Sequence, residues 1–200
     1  QAEAFARGTS HGPDENLNKL LWVILSACHV ARKSLIIMSP YFLPDATLIS
    51  ALCLASMRGV QVDILLPEKN NLPFVQWATQ AMLWQVLIKG CRVWATPAPF
   101  DHGKLMLVDG HWWDLPIGIH AVYVWILSSI WNAATQRQLK NWKKILPEKM
   151  ERSKEVTLES LNRRSIPIKL RDGCMCLATP YLWKTKLPGT YSSDTLRDQS

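Results

Sequence analysis

Two hydrophobic periods alternate along the first 110 residues of the chain. Apolar residues first recur at helical spacing, at Leu17, Leu20, Leu21, Ile24, Ala27 and Cys28. A short apolar run over 34–39 then indicates a strand, and the alternation continues with a helix over 45–58, a strand over 60–66, a helix over 74–89 and strands over 91–95 and 104–108. The pattern predicts an α/β fold, a layered sheet flanked by helices. The strands are apolar on both faces, which is typical of a sheet covered on both sides.

Residues with special backbone preferences mark the ends of these elements. Asp45 suits the N-cap of the second helix, and Gly59 and Gly90 suit the positions just after two helix ends. Asp109 and Gly110 form a turn signal after the last strand. These positions make the predicted boundaries sharper than the periodicity alone.

The pattern changes after Gly110. Five of the ten tryptophans fall between Trp112 and Trp142, and residues 114–130 show neither period and almost no charge. Residues 148–155 then resemble a charged helical stretch, after which Pro167, Gly173 and Pro180 are expected to divide the chain into short pieces. Residues 183–200 are predicted to be a flexible tail.

Charge narrows the classes of partner. The formal net charge of +7 over 200 residues favours anionic partners, either phospholipid headgroups or nucleic acid. No apolar run reaches the ~18 residues expected of a membrane span. Because the chain opens with Gln1, we interpret it as an excerpt of a longer gene product. The cysteines at 28, 53 and 91 are predicted to be buried free thiols, and the spacing of Cys174 and Cys176 does not suit a zinc site, so no metal is expected.

The candidate catalytic residues are His102, Lys104 and Asp109. On a strand, His102 and Lys104 would point to one face at its start, while Asp109 lies beyond its end, where it can orient a partner or begin a turn. A neutral imidazole can attack phosphorus and form a covalent intermediate, and a lysine two residues away can neutralise the non-bridging oxygens. A second histidine must protonate the leaving alcohol. This chemistry requires neither a metal nor a cofactor.

The spacing His102-x-Lys104-x4-Asp109 matches the signature motif of the phospholipase D superfamily. Further stretches resemble its bacterial cardiolipin synthase branch, in order along the chain: Ser10-His-Gly-Pro-Asp14, Ser39-Pro-Tyr-Phe-Leu-Pro-Asp45, Arg58-Gly-Val-Gln-Val-Asp-Ile-Leu-Leu-Pro67, and Arg164-Ser-Ile-Pro-Ile-Lys-Leu-Arg171 followed by Thr179-Pro-Tyr-Leu182. On this resemblance, residues 8–182 form a phospholipase D-like C-terminal repeat.

The resemblance implies phosphatidyl transfer between phospholipids through a phosphohistidine, at a site shared by two repeats. The implied partners are an anionic, phosphatidylglycerol-like lipid and the missing N-terminal repeat, with nucleic acid disfavoured. The implied location is the bacterial cytoplasmic membrane, peripheral in this segment. With one motif present, the isolated chain is expected to be inactive. Two alternatives stay open: a metal-independent nuclease or phosphodiesterase of the same superfamily, and a non-catalytic lipid-binding pseudoenzyme.

The chain departs from the family pattern after Trp112. The family continues with a Gly-Ser-x-Asn-Trp-Asp type of segment. When suitable codons for residues 112–132 are read in a shifted frame, they encode a segment of this type. Two letters of that shifted reading are forced by the tryptophan codons. We therefore expect residues 113–147 to be out of frame and poorly packed, with the frame restored near Glu148. Sequencing of the source DNA tests this expectation, which an uninterrupted frame with other codons would remove.

Three further features of the sequence each allow more than one interpretation. Tyr41 and Phe42 could face a lipid or close the core. Trp77 and Trp84 lie seven residues apart on one helix, and core packing is favoured over membrane contact. The cations of the C-terminal part are expected to be a solvated face that would attract anionic lipid if clustered: Arg152, Lys154, Arg163, Arg164, Lys169 and Arg171.

Overall fold

A six-stranded mixed sheet forms the centre of the protein. The computed structural model describes residues 17–99, 105–113 and 146–182. The strand order is β5-β4-β1-β2-β3-β6. The strands are β1 (Ser34–Met38), β2 (Gln61–Pro67), β3 (Arg92–Thr96), β4 (Leu105–Val108), β5 (His111–Trp113) and β6 (Lys154–Val156). Strands β1, β2 and β3 are parallel, whereas β4, β5 and β6 each run antiparallel to the strand beside them.

The helices are α1 (Leu17–Val30), α2 (Ala46–Met57), α3 (Pro73–Leu87), α4 (Leu158–Asn162) and α5 (Ile166–Leu182). The first three begin and end close to the residues that the sequence predicts. The carboxylate of Asp45 caps α2 by accepting a 2.8 Å hydrogen bond from the backbone N–H of Leu48. Gly59 and Gly90 follow α2 and α3 with φ of +88° and +87°, a conformation that glycine adopts without steric cost.

The sheet buries apolar side chains on both faces, as the strand pattern predicts. Leu35, Ile64 and Met106 point to the first face, where they pack with buried residues of α1, α2 and α3. Met38 and Leu65 point to the second face, with Leu146 from a helical segment over residues 146–151. The α/β class is therefore confirmed.

An ion pair between a buried carboxylate and a partly exposed arginine joins β2 to β3 on the second face. The fully buried carboxylate of Asp63 accepts hydrogen bonds from Nε and Nη2 of Arg92 at 2.7 and 2.8 Å. Nε1 of Trp94 and Nε2 of Gln61 donate to it at 2.8 and 2.9 Å. Burial alone would raise the pKa of Asp63, but hydrogen bonds from these three side chains outweigh it, so the pKa lies below its usual value.

Two predictions for the C-terminal part are wrong. The helical stretch ends at residue 151, and Lys154–Val156 instead forms β6, since Val93 and Ala95 of β3 offer an open edge that pairs with Val156 and Lys154. Residues 166–182 are one helix, α5, and not short pieces. Pro167 lies in its first turn, where a backbone N–H would have no partner within the helix anyway.

Several expectations fall outside the described residues. These are the limits of the repeat at residue 8, residues 114–145 of the stretch expected to be out of frame, and the tail over 183–200. Trp113 and Leu146, near the ends of that stretch, are described, and Leu146 is buried in the second-face cluster. Among the helices of the described residues, none is long and apolar enough to cross a bilayer.

Candidate functional site

The start of β4 lies at the carboxyl edge of the parallel strands. Because β4 runs antiparallel to β1, Leu105 pairs with Met38, the last residue of β1. Open α/β sheets bind ligands at this edge, where the loops that follow neighbouring strands meet. His102 and Lys104 lie outside the described residues, but the end of β4 to which Lys104 is bonded is at this edge.

Hydrogen bonds fix the shape of the loop after β1 at the same edge. The Ser39 side chain is fully buried, and its Oγ donates to the carbonyl of Tyr41 at 3.1 Å and accepts from the Tyr41 N–H at 3.3 Å. Phe42 is 1% exposed and belongs to the core of the first face. Phe42 therefore closes the core, while Tyr41 stays half-buried at the edge.

Two asparagines tie the loop after β2 to the loop after β1. Asn70 Nδ2 donates to the carbonyl of Pro40, and Asn71 Oδ1 accepts from the Tyr41 hydroxyl at 3.0 Å. Asn70 Oδ1 also accepts from the N–H of Leu72 at 2.9 Å. Sequence reasoning missed both asparagines, although their position after the proline that ends β2 marks them as loop residues at this edge.

Asp109 lies at the opposite, amino edge of the sheet. Its carboxylate accepts hydrogen bonds from the backbone N–H groups of Arg32, Lys33 and Ser34 at 2.9, 2.6 and 2.9 Å. Its own N–H donates to the carbonyl of Ser34 at 2.8 Å, and its φ is +52°. The four residues of β4, roughly 13 Å of strand, therefore lie between Asp109 and the carboxyl edge of the parallel strands.

These hydrogen bonds lower the pKa of the Asp109 carboxyl. The N–H of Ser34 contributes most, followed by those of Lys33 and Arg32. A group whose pKa is lower in the folded state than in the unfolded state stabilises the fold above the unfolded-state pKa. That contribution is lost as the pH falls through the folded-state pKa.

Replacing Asp109 by alanine is expected to lower the urea midpoint of unfolding, because three backbone N–H groups lose their acceptor. The difference from the wild type should be complete at neutral pH and should shrink as the pH falls below about 4, where the unfolded-state carboxyl is protonated. Urea titrations of both proteins at neutral pH and below about pH 4 measure the difference in midpoint. An equal difference at both pH values would show that the carboxylate charge contributes nothing.

Three of the described cysteines are buried in the core and provide no reactive thiol. Cys28, Cys53 and Cys91 are buried and free, as the sequence predicts. Burial raises the pKa of the Cys28 and Cys91 thiols to about 12, so they stay protonated at neutral pH. Among the described residues, no group of three His, Cys, Asp or Glu side chains is arranged to hold a metal ion.

The two helix tryptophans have different surroundings. Trp77 is partly buried, and the guanidinium of Arg171 lies 4.3 Å from the centre of its ring. Trp84, two turns further along α3, is 53% exposed. Core packing therefore does not describe Trp84, and Trp77 instead helps to bind α5 to α3.

The comparison with known families matches most of the chain. The model of the family described as "Cardiolipin synthase, PLD-like domain" matches residues 24–171. The chain belongs to this family. The matched range contains every strand of the sheet and the His102-x-Lys104-x4-Asp109 motif, so the family resemblance read from the sequence is confirmed.

The relatives named as cardiolipin synthases are much longer than this chain. The cardiolipin synthase of Staphylococcus aureus strain N315 is 30% identical over 175 residues, which cover 86% of this chain and 35% of that protein. Cardiolipin synthase 2 of Staphylococcus epidermidis is 28% identical over 180 residues, covering 86% and 36%. The chain thus spans about a third of the length of these relatives.

Two solved structures resemble the fold at low identity. The phospholipase D family member Nuc from Salmonella typhimurium has a TM-score of 0.49 and 17% identity, covering 68% of this chain and 90% of that one. Phosphatidylserine synthase from Haemophilus influenzae has a TM-score of 0.46 and 16% identity, covering 82% and 43%.

Proposed function

We propose that this chain supplies one half-site of a cardiolipin synthase-type phosphatidyltransferase, with His102 and Lys104 as its reactive pair. The position of β4 carries the proposal, because this strand presents its first residue at the carboxyl edge, beside the hydrogen-bonded loop that follows β1. The membership of the family and the net charge of +7 support an anionic phospholipid substrate, phosphatidylglycerol-like in its headgroup.

The reaction needs two histidines. The neutral imidazole of one attacks phosphorus, and the bond from phosphorus to the leaving alcohol breaks as the second histidine donates a proton to that oxygen. The second histidine then removes a proton from the acceptor hydroxyl, which attacks phosphorus and displaces the first imidazole. His102 supplies one of the two, and Lys104 neutralises the phosphoryl oxygens in both steps. The second pair comes from the two thirds of the protein that the relatives carry beyond this chain.

Asp109 acts in this scheme as a positioning residue. Its carboxylate binds the three N–H groups before and at the start of β1, on the edge away from the reacting phosphate. By joining the end of β4 to the beginning of β1, it sets the register of the two strands. It thereby sets where the residues before β4 meet the loop after β1.

The isolated chain is expected to form no cardiolipin from phosphatidylglycerol. The histidine that this chain lacks is either the nucleophile or the general acid, and loss of a general acid alone costs about 10²–10⁴ in rate. Lipid extraction and mass spectrometry after incubation with phosphatidylglycerol vesicles measure the product. Robust turnover that disappears in His102→Ala would refute the inactivity while supporting the site. Cleavage of plasmid DNA in the presence of EDTA would favour the metal-independent nuclease instead.

A further inference from the structure

Helix α5 exposes a continuous apolar face. Ile166, Leu170 and Leu177 are 72%, 64% and 77% exposed. Their spacings of four and seven residues place them on one side of the helix, and we call these three residues the α5 stripe. Large apolar side chains grouped in this way on a surface indicate an interaction site more strongly than scattered ones do.

The opposite side of α5 is fixed to the rest of the fold. Asp172 is 1% exposed, and its carboxylate pairs with Arg164 at 2.6 Å and with Arg171 at 2.8 Å. Arg164 also donates to the carbonyl of Gln80 on α3, and Arg171 stacks on Trp77 of the same helix. Because these contacts set the rotation of α5 about its axis, the stripe faces away from α3.

The charges around the stripe are mainly positive. Residues 158–182 contain four cations, Arg163, Arg164, Lys169 and Arg171, and two carboxylates, Glu159 and Asp172. Glu159 pairs with Arg163 at 2.7 Å, and Asp172 is buried between the other two arginines, so α5 itself presents no exposed carboxylate beside the stripe, whereas Lys169 on the same helix is exposed. Exposed Ile and Leu next to Lys and Arg are typical of helices that lie in the interface of an anionic bilayer.

We infer that the α5 stripe, with Lys169 beside it, docks the protein onto the surface of an anionic phospholipid bilayer. Charge complementarity selects this occupant, because a second copy of the chain would bring the same cations against each other. The apolar side chains would enter the acyl boundary while the cations meet headgroup phosphates. The inference rests on the proposed function in its choice of lipid, but binding does not require turnover.

Co-flotation of the full 200-residue chain with vesicles tests the surface. The vesicles contain equal parts of phosphatidylglycerol and phosphatidylcholine, with pure phosphatidylcholine for comparison. We expect binding to the mixed vesicles only, and at least about tenfold weaker binding after Ile166→Ser, Leu170→Ser and Leu177→Ser are combined. The matched control is Met57→Ser on α2, a residue that is 67% exposed and should leave binding unchanged.

A second variant tests the charges without altering the apolar face. Lys169→Gln should weaken binding about fivefold and reduce its salt dependence, since each cation near an anionic surface contributes about fivefold. Lys89→Gln, an exposed lysine after α3, is the control. This variant also decides the question if the triple serine variant does not fold.

Four outcomes would overturn the inference: no binding to mixed vesicles, binding that is equal to pure phosphatidylcholine, unchanged binding of both α5 variants, or a dimer that the triple serine variant converts to a monomer. The last outcome would assign the stripe to a contact between copies. His102→Ala should bind like the wild type, so loss of the proposed reaction and loss of docking are separate results.

Discussion

Cardiolipin formation should disappear when His102 is replaced by alanine in an active protein that contains this chain. Such a protein can be built by replacing the matched third of the Staphylococcus aureus cardiolipin synthase with this chain, and residues 113–147 with the relative's own segment. The alanine variant loses either the nucleophile or the general acid, so its rate should fall by at least about 10². His29→Ala, an exposed histidine at the end of α1, is the matched control and should retain the rate.

The same chimera tests the reading frame of the middle segment. With residues 113–147 left as they are, the chimera is expected to be inactive, because that stretch lacks the Gly-Ser and Asn of the family pattern. Restoring the segment should restore cardiolipin formation, measured by mass spectrometry of extracted lipids. Equal activity of the two chimeras would contradict the expectation of a frame shift, and activity that survives in His102→Ala would contradict the half-site.

Replacing Arg92 by leucine is expected to destabilise the fold by about 2 kcal/mol, less than the roughly 3–5 kcal/mol for a fully buried ion pair, because the Arg92 side chain is 40% exposed. The substitution leaves the Asp63 carboxylate fully buried without its counter-charge, with Trp94 and Gln61 as its remaining partners. Because the pKa of Asp63 is held below its usual value, the pair stabilises the protein above about pH 4, and the effect should fade as the pH drops through the folded-state pKa. Urea unfolding at neutral pH and below about pH 4 measures the change in the free energy of unfolding.

Two further variants test whether burial of the Asp63 carboxylate causes the loss of stability in Arg92→Leu. Asp63→Leu combined with Arg92→Leu should recover most of the loss, since no unpaired charge stays inside. Lys154→Gln breaks the surface pair with Glu68, whose side chains are 79% and 44% exposed, and should cost less than about 1 kcal/mol. A double variant as unstable as Arg92→Leu alone would show that the ion pair itself, and not the orphaned carboxylate, provides the stability.

The alternation of helices and strands was predictable because local signals mark its boundaries. Asp45, Gly59 and Gly90 each act within a few residues, through a cap or a positive φ, so the sequence alone locates them. Strand β6 was not predictable, since Lys154–Val156 is short and polar and forms only because β3 offers an edge about 60 residues away in the sequence. Helix α5 continues past Pro167 because a proline in the first turn breaks no hydrogen bond.

The candidate site was predictable in part. The motif and its apolar run correctly predicted strand β4 and the turn that begins at Asp109. The partners of Asp109 are the backbone N–H groups of Arg32, Lys33 and Ser34, and every residue type except proline carries such a group. Side-chain identity therefore gives no signal for this contact. The hydrogen bonds of Asn70 and Asn71 were hidden for a related reason, because they depend on how two separate loops meet.

The two outermost strands of the sheet, β5 and β6, are also the described strands on either side of residues 114–153. Five inter-strand spacings separate them, roughly 24 Å in all, so this connection must span the full width of the sheet. Forty residues far exceed that reach, and doubling a loop's length costs only about 0.6 kcal/mol in closure entropy. Closure of this connection therefore places little constraint on its sequence, apart from Leu146 and Met150, which pack in the second-face cluster. Strands β5 and β6 can keep their neighbours when the rest of the connection changes.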